Sequence, residues 1–389
     1  MADQLPPLSL YIHTPWCVRK CPYCDFNSHE PDSSELPEAA YLAALLSDLD
    51  GDVSLASGRT IQTIFIGGGT PSLLSPGFYQ QLFEGIRQRL PFSPTIEITL
   101  EANPGTTEQQ RFIGYREAGI NRLSLGVQSF RPTQLSALGR IHSGNEAVTA
   151  ISEAKAAGFD NLNIDLMHGL PQQTPEQAME DIDQALALNP EHLSWYQLTL
   201  EPNTAFFSHP PPLPEEEALW DIQEAGHQRL EQAGLNRYEI SAYARPACQS
   251  RHNLNYWRFG DYLGIGAGAH GKLTHIDSQG EWQIERRWKT RQPDAYLRRA
   301  NDPRGFVAGQ QLIEPQELPL EFAMNALRLT EGVTLADWFA HTGQPNALLL
   351  NRLQSAQEKG LLMEMPEKLR ASPQGLLFLN ELLALISEE

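Results

Sequence analysis

Six short runs of strand-forming residues alternate with longer amphipathic patterns along the first half of the chain. They are Leu8–His13, Thr60–Ile66, Thr95–Leu100, Arg122–Val127, Asn161–Met167 and Leu193–Leu200. Helix signals fall between them. Leu42, Leu45, Leu46 and Leu49 share one face of a helix opened by Pro37, and Ser75-Pro76 and Thr174-Pro175 each read as a cap followed by a first helical residue. Strands separated by helical crossovers must lie parallel. Each unit takes roughly 30 residues, the size of one βα step. That leaves too little chain for eight units before the pattern ends. The expected fold class is therefore α/β, with an incomplete (β/α)6 barrel rather than a closed eight-stranded one.

The pattern breaks after His209, where PPPLPEEE cannot continue a strand or helix interior. A long helix is expected over about Glu215–Ala233, then strands and loops over Tyr238–Trp288. From about Leu318 the periodicity is helical again, with Leu379, Leu382, Leu383 and Ile386 forming one apolar stripe. This divides the chain into a barrel (1–208), a linker helix with a strand-containing extension (209–304) and a small, mostly helical or winged-helix-like C-terminal domain (305–389).

With 389 residues, 41% hydrophobic and 20% charged, the chain can bury a substantial core. Its net charge of −19, with no Lys/Arg run, argues against nucleic acid as a partner. No stretch approaches a membrane span, and MADQLPPLSL lacks a signal-peptide pattern, so the expected setting is soluble and cytoplasmic. Three of the four cysteines, Cys17, Cys21 and Cys24, fall within eight positions directly after the first strand. Such a cluster in a reducing compartment points to metal or catalysis rather than a disulfide framework. Three thiolates complete neither a zinc site nor a four-iron cluster. Either His13 or His29 takes the fourth place, giving a structural zinc loop, or that place is open to a small molecule.

In a parallel barrel, ligand-binding groups sit at the carboxyl ends of the strands. Reading those ends in order gives Gly67-Gly68-Gly69-Thr70, Glu101, Gln128 and Asp165, with Arg140 twelve residues after Gln128. Consecutive glycines allow backbone to approach a ligand closely. A carboxylate inside NLNIDLM is costly unless paired or ligated. Gly266, Gly268 and Gly271 spell a dinucleotide fingerprint, but no helix pattern follows them, so that reading fails.

Cx3CxxC after the first strand, with Tyr23 before the last cysteine, resembles the radical SAM proteins. The resemblance implies a [4Fe-4S] cluster on Cys17, Cys21 and Cys24, with S-adenosylmethionine (SAM) on its open iron. GVQSF, LGRIH and DLMHGLP are similar to segments of the oxygen-independent coproporphyrinogen III oxidase branch. That implies Tyr11, Gly68 and Glu101 near one SAM and Gly69, Thr70, Gln128, Arg140 and Asp165 near a second, with Tyr23 also counted in the SAM site. The oxidase has a fourth cysteine two places after the third, where this chain has Phe26, and a longer segment before its first strand. YIHTPWCVRKCPYCDFNSH, IFIGGGTPSLL, NIDLMHGLPQQT and RHNLNYWRFGDYLGIGAGAHG instead resemble the HemW family, the radical SAM haem chaperones.

That resemblance makes HNLNYW the haem-binding segment, with His252 as ligand and Cys248, Tyr256 and Trp257 as candidate companions. Imidazole ligates haem iron and aromatic rings stack on porphyrin. His168 and His270 are weaker alternatives. The implied cofactors are the [4Fe-4S] cluster, SAM and haem, and the implied partners are acceptor haemoproteins, with a homodimer as candidate assembly. Two alternatives stand beside the chaperone: a radical SAM enzyme acting on a tetrapyrrole, and a zinc-stabilised binding module.

Overall fold

The computed structural model describes residues 5–32, 35–105, 109–364 and 368–388. All six expected strands form: β1 (Leu8–Thr14), β2 (Ile61–Gly68), β3 (Phe92–Ala102), β4 (Arg122–Gln128), β5 (Leu162–His168) and β6 (His192–Gln197). They pair parallel in sequence order. β6 stops short of Leu200 because the chain soon turns through Asn203, which is left-handed at φ 68°. Helices cross between the strands, and their starts follow the cap signals. Ser75 accepts the Phe78 amide, and Thr174 forms a capping box with Gln177.

The extension divides between the two rims of this sheet. β7 (Asn236–Glu239) and β8 (Ala242–Ala244) run antiparallel on the β6 rim. On the other rim β9 (Asp261–Ile265) pairs parallel with β1, followed by antiparallel β10 (His270–Ile276), β11 (Trp282–Lys289) and β12 (Val307–Leu312). The result is one open twelve-stranded sheet, ordered β12-β11-β10-β9-β1-β2-β3-β4-β5-β6-β8-β7.

To pass from β8 to β9 the chain crosses beneath the barrel, and the crossing segment is a helix, Arg251–Trp257. We call it the strap. Strands and loops were expected here, since seven residues with two asparagines and a histidine are poor helix formers. Two long-range partners override that preference. Ser250 Oγ accepts the Asn253 amide, and the buried Glu97 carboxylate on β3 accepts the Arg251 and His252 amides, both at 3.1 Å.

Buried ion pairs tie the extension to the barrel. Asp261 on β9 accepts from Arg59 (2.7 Å), Lys272 Nζ (2.9 Å) and the Thr274 amide (2.8 Å). Burial works against that carboxylate, but Lys272 and Arg59 outweigh it and hold its pKa below the usual range. Lys289 on β11 binds Asp48 and Asp52 of the helix Glu38–Asp52. One core runs from Leu8 through Ile164 to Tyr296 and Phe306. A second, around Phe322, Trp338, Leu349 and Leu382, holds the mostly helical C-terminal region and includes Phe259, two residues beyond the strap.

Candidate functional site

β1 ends in Thr14, and the cysteine loop begins at once. Its two ends are clamped together: Cys17 N donates to His29 O (2.9 Å) and His29 N to Pro15 O (2.7 Å). Asn27 Nδ2 ties the loop to Ala267 and Arg291 carbonyls, both at 2.9 Å. The three thiols are free, half-buried and open onto one cavity of about 460 Å3 at the carboxyl ends of the strands. Thr70 Oγ1 donates to Cys17 Sγ (3.3 Å), and Arg140 Nη1 lies 3.7 Å from Cys21 Sγ. Burial pushes the Cys17 and Cys24 thiols up from their ordinary pKa, against hydrogen bonds such as that from Thr70 that pull Cys17 down.

His13 offers no free fourth donor, and His29 has one ring nitrogen engaged. Both His13 ring nitrogens are engaged, Nδ1 with Tyr11 Oη (2.9 Å) and Nε2 with the Asn27 carbonyl (2.8 Å), and His29 Nε2 meets Asn27 Oδ1 (3.1 Å). Among the described residues, no group of three His, Cys, Asp or Glu donors is gathered tightly enough for a single metal ion. Three thiols spread around one cavity suit a larger, multi-iron group.

The other walls come from the strand ends. Gly69 lies so close to the loop root that a Cβ there would fall 2.4 Å from the Trp16 carbonyl oxygen. Gly68 is left-handed at φ 109°, and its amide points to Glu101 Oε2 (3.3 Å). Burial, then the neighbouring Asp165, push the Glu101 carboxyl up to about 8. Asp165 is also raised by burial, although Ser124 (2.9 Å) and Asn163 (2.7 Å) donate to it. Gln128 takes the left-handed conformation at φ 68° and accepts from Tyr196 Oη (2.9 Å).

Tyr23, Gly68, Gly69, Thr70, Glu101, Gln128, Arg140 and Asp165 thus surround the same space as the cysteines. Tyr11 does not line it. Its side chain shares the lumen face with Ser9 and His13 and stacks on Phe65, deeper in the barrel. Sequence reasoning missed Asn103, Ser124 and Tyr196 in this wall. Asn103 links the two halves, donating to Thr70 Oγ1 (2.9 Å) and accepting from Arg140 Nη2 (2.7 Å). Its place just after a strand end was the signal available.

The residues expected at haem lie at the opposite end of the barrel. His252 is fully buried in the lumen floor, and both its ring nitrogens are engaged, Nδ1 with Thr63 Oγ1 and Nε2 with Tyr256 Oη, each at 2.8 Å. Burial lowers its pKa to about 3, so it is neutral. It is helical, not strand-bound. Tyr256 stands one turn away, edge-on to His252. Trp257 packs toward the C-terminal core beneath the Arg328 guanidinium, and half-buried Cys248 packs beside Tyr238 and Ala242. The weaker alternatives stand instead at the cysteine end: His168, last in β5, lies buried against Trp195, and the exposed His270, first in β10, lies against Trp288.

The model of the radical SAM superfamily matches residues 11–185, and that of the HemN C-terminal domain matches 313–378. The Escherichia coli (strain K12) protein named heme chaperone HemW is 52% identical over 99% of this chain and all of its own length. The chain belongs to the HemW family. The Haemophilus influenzae heme chaperone HemW is 49% identical over 99% of both chains. A bovine relative, radical S-adenosyl methionine domain-containing protein 1, mitochondrial, is 33% identical over 96% of this chain and 86% of its own. The solved coproporphyrinogen III oxidase (HemN) of Escherichia coli superposes with a TM-score of 0.81 at 22% identity, over 98% of this chain and 90% of that one. The HemW family fold is thus the α/β radical SAM architecture expected, with its C-terminal helical region. Among the described residues no helix is long and apolar enough to cross a membrane.

Proposed function

We propose that this chain holds haem at the strap end of its barrel and passes it to acceptor haemoproteins, while the cysteine cavity carries a [4Fe-4S] cluster and SAM. One observation carries the choice of holding over oxidising. The strap and the cysteines stand at opposite ends of β1, whose seven residues span about 20 Å, and His252, Phe65 and Tyr11 fill the lumen between them. A tetrapyrrole against the strap therefore stays out of reach of chemistry at the cysteines.

The donor set fits the cofactors. Cys17, Cys21 and Cys24 would hold the cluster, and Gly68, Gly69, Glu101 and Asp165 offer the backbone and carboxylate groups an amino acid sulfonium would meet. When bound, the cluster supplies one open iron and an electron for SAM. Thr70 and Arg140 stabilise thiolate charge, Glu101 exchanges a proton near neutral pH, and the clamped loop root keeps the cysteines at the cavity mouth. Cys248, His252, Tyr256 and Trp257 belong to the haem end, where His252 reaches iron only by leaving Thr63 and Tyr256. The three-part division, with its second boundary moved from 304 to the end of β12 at Leu312, completes this reading together with a homodimer and a cytoplasmic setting.

Anaerobic iron, sulfide and haem quantification on one preparation tests it, together with haem transfer to an apo-acceptor. Haem transfer without haem-dependent 5′-deoxyadenosine is expected. Conversion of coproporphyrinogen III with matching 5′-deoxyadenosine would replace the chaperone by the oxidase.

A further inference from the structure

A cavity of about 560 Å3 opens on the outer side of the strap, and nothing described so far uses it. It lies at the start of β1 and β2, bounded by Leu8 and Thr63, with Leu254, Asn255 and Arg258 of the strap segment on one side. Its size is in the range of small-molecule sites, about 300–1,000 Å3. Its charge is unusual for this molecule. In a chain of net −19, the arginines among the described residues lining the cavity are Arg251, Arg258 and Arg59, the last held by Asp261, and none of those lining residues is a carboxylate. Leu5, Pro6, Pro7 and Leu254 supply apolar surface. An apolar body with anionic groups at its edge is the ligand this wall fits.

His341, reaching in from the C-terminal region, completes the lining. Its Nδ1 bonds the backbone carbonyl of Arg258. A carbonyl only accepts, so Nδ1 carries the proton and Nε2 keeps its lone pair. This is the arrangement in which metal-ligating histidines are found, one nitrogen fixed by a carbonyl and the other presented to metal. Burial lowers the His341 pKa, which keeps the ring neutral. His252 offers no comparable nitrogen, since both of its own are hydrogen-bonded.

Resting on the haem reading above, we propose that haem occupies this cavity with iron on His341 Nε2, its carboxylates toward Arg251 and Arg258, and the strap as its wall. His252 is then a positioning residue that fixes the strap from the lumen side. The strap joins barrel to C-terminal region here, so the bound group touches both.

The test is titration of the full-length protein with hemin and, separately, with iron-free protoporphyrin IX, followed by absorbance and fluorescence. His341→Ala is expected to weaken hemin about tenfold or more while leaving protoporphyrin IX within about twofold. Arg258→Glu is expected to weaken both, because both carry the carboxylates. His341→Met is expected to shift the Soret band by exchanging the iron ligand. If wild-type protein binds no hemin, the haem reading fails and this inference with it. If wild-type protein binds but His341→Ala keeps its affinity and spectrum, the inference alone is overturned. If His341→Ala loses both porphyrins, the cavity has collapsed and His341→Met decides, a shifted band supporting the assignment and an unshifted one overturning it.

Discussion

Replacing Gly69 by alanine attacks the cysteine loop at its root. The added Cβ would sit 2.4 Å from Trp16 O, 2.7 Å from Trp16 C and 2.9 Å from Thr14 O, all backbone atoms. Ordinary contact begins near 3.4 Å, so the loop root must retreat by about 1 Å. Two hydrogen bonds oppose that retreat, Gly69 N to Thr14 O and Thr70 N to Trp16 O, both 2.6 Å. Overpacking costs about 1–3 kcal/mol and loss of one such bond about 1 kcal/mol, which places the substitution at about 2–4 kcal/mol. Cys17 follows Trp16, so its sulfur moves with the loop and leaves Thr70. We expect anaerobically reconstituted Gly69→Ala to retain several-fold less iron and sulfide than wild type, and its urea midpoint to fall. Gly77→Ala is the control, because its Cβ would meet only Ser75 Oγ at 4.0 Å. A Gly69→Ala protein with full iron and the wild-type midpoint would refute the reasoning.

Glu101 titrates near 8, protonated below that pH and charged above it. Affinity for SAM, whose ammonium prefers the carboxylate, should therefore rise from pH 6 to 8 and flatten beyond, and Glu101→Gln should show no such rise in equilibrium binding. Thr70→Ala removes the hydroxyl donating to Cys17 and should lower the cluster's reduction potential, measured by anaerobic redox titration. Asp261→Ala strands Arg59 and Lys272 in the interior and should cost about 3–5 kcal/mol in urea unfolding without changing iron content. His252→Ala leaves Thr63 and Tyr256 hydroxyls facing a void, a loss of about 2–4 kcal/mol.

The six βα units were legible because each strand and its crossover carries its own local period and caps, as at Ser75 and Thr174. The wall of the cysteine cavity was legible for the same reason, since a parallel barrel brings strand ends together whatever their separation in sequence. What stayed hidden depends on distant partners. The strap is helical because Glu97, more than 150 positions earlier, receives its amides, and no local pattern in RHNLNYW announces that. His252 looked like an available imidazole until Thr63 closed one side of it. Tyr11 shares its strand with the site, yet its lumen position along β1 leaves it below the cavity. His341 sits in an ordinary helix end, and only the fold carries it to Arg258.

The crossing of the strap also bears on how this protein can be divided. A fragment ending near residue 208 would keep every cysteine and strand-end group, yet it would lose the stopper of its own lumen and expose both β1 and β6 as bare edges. Such edges invite pairing with other chains, so a minimal cofactor-bearing fragment must include residues through β9 rather than end at the sixth strand.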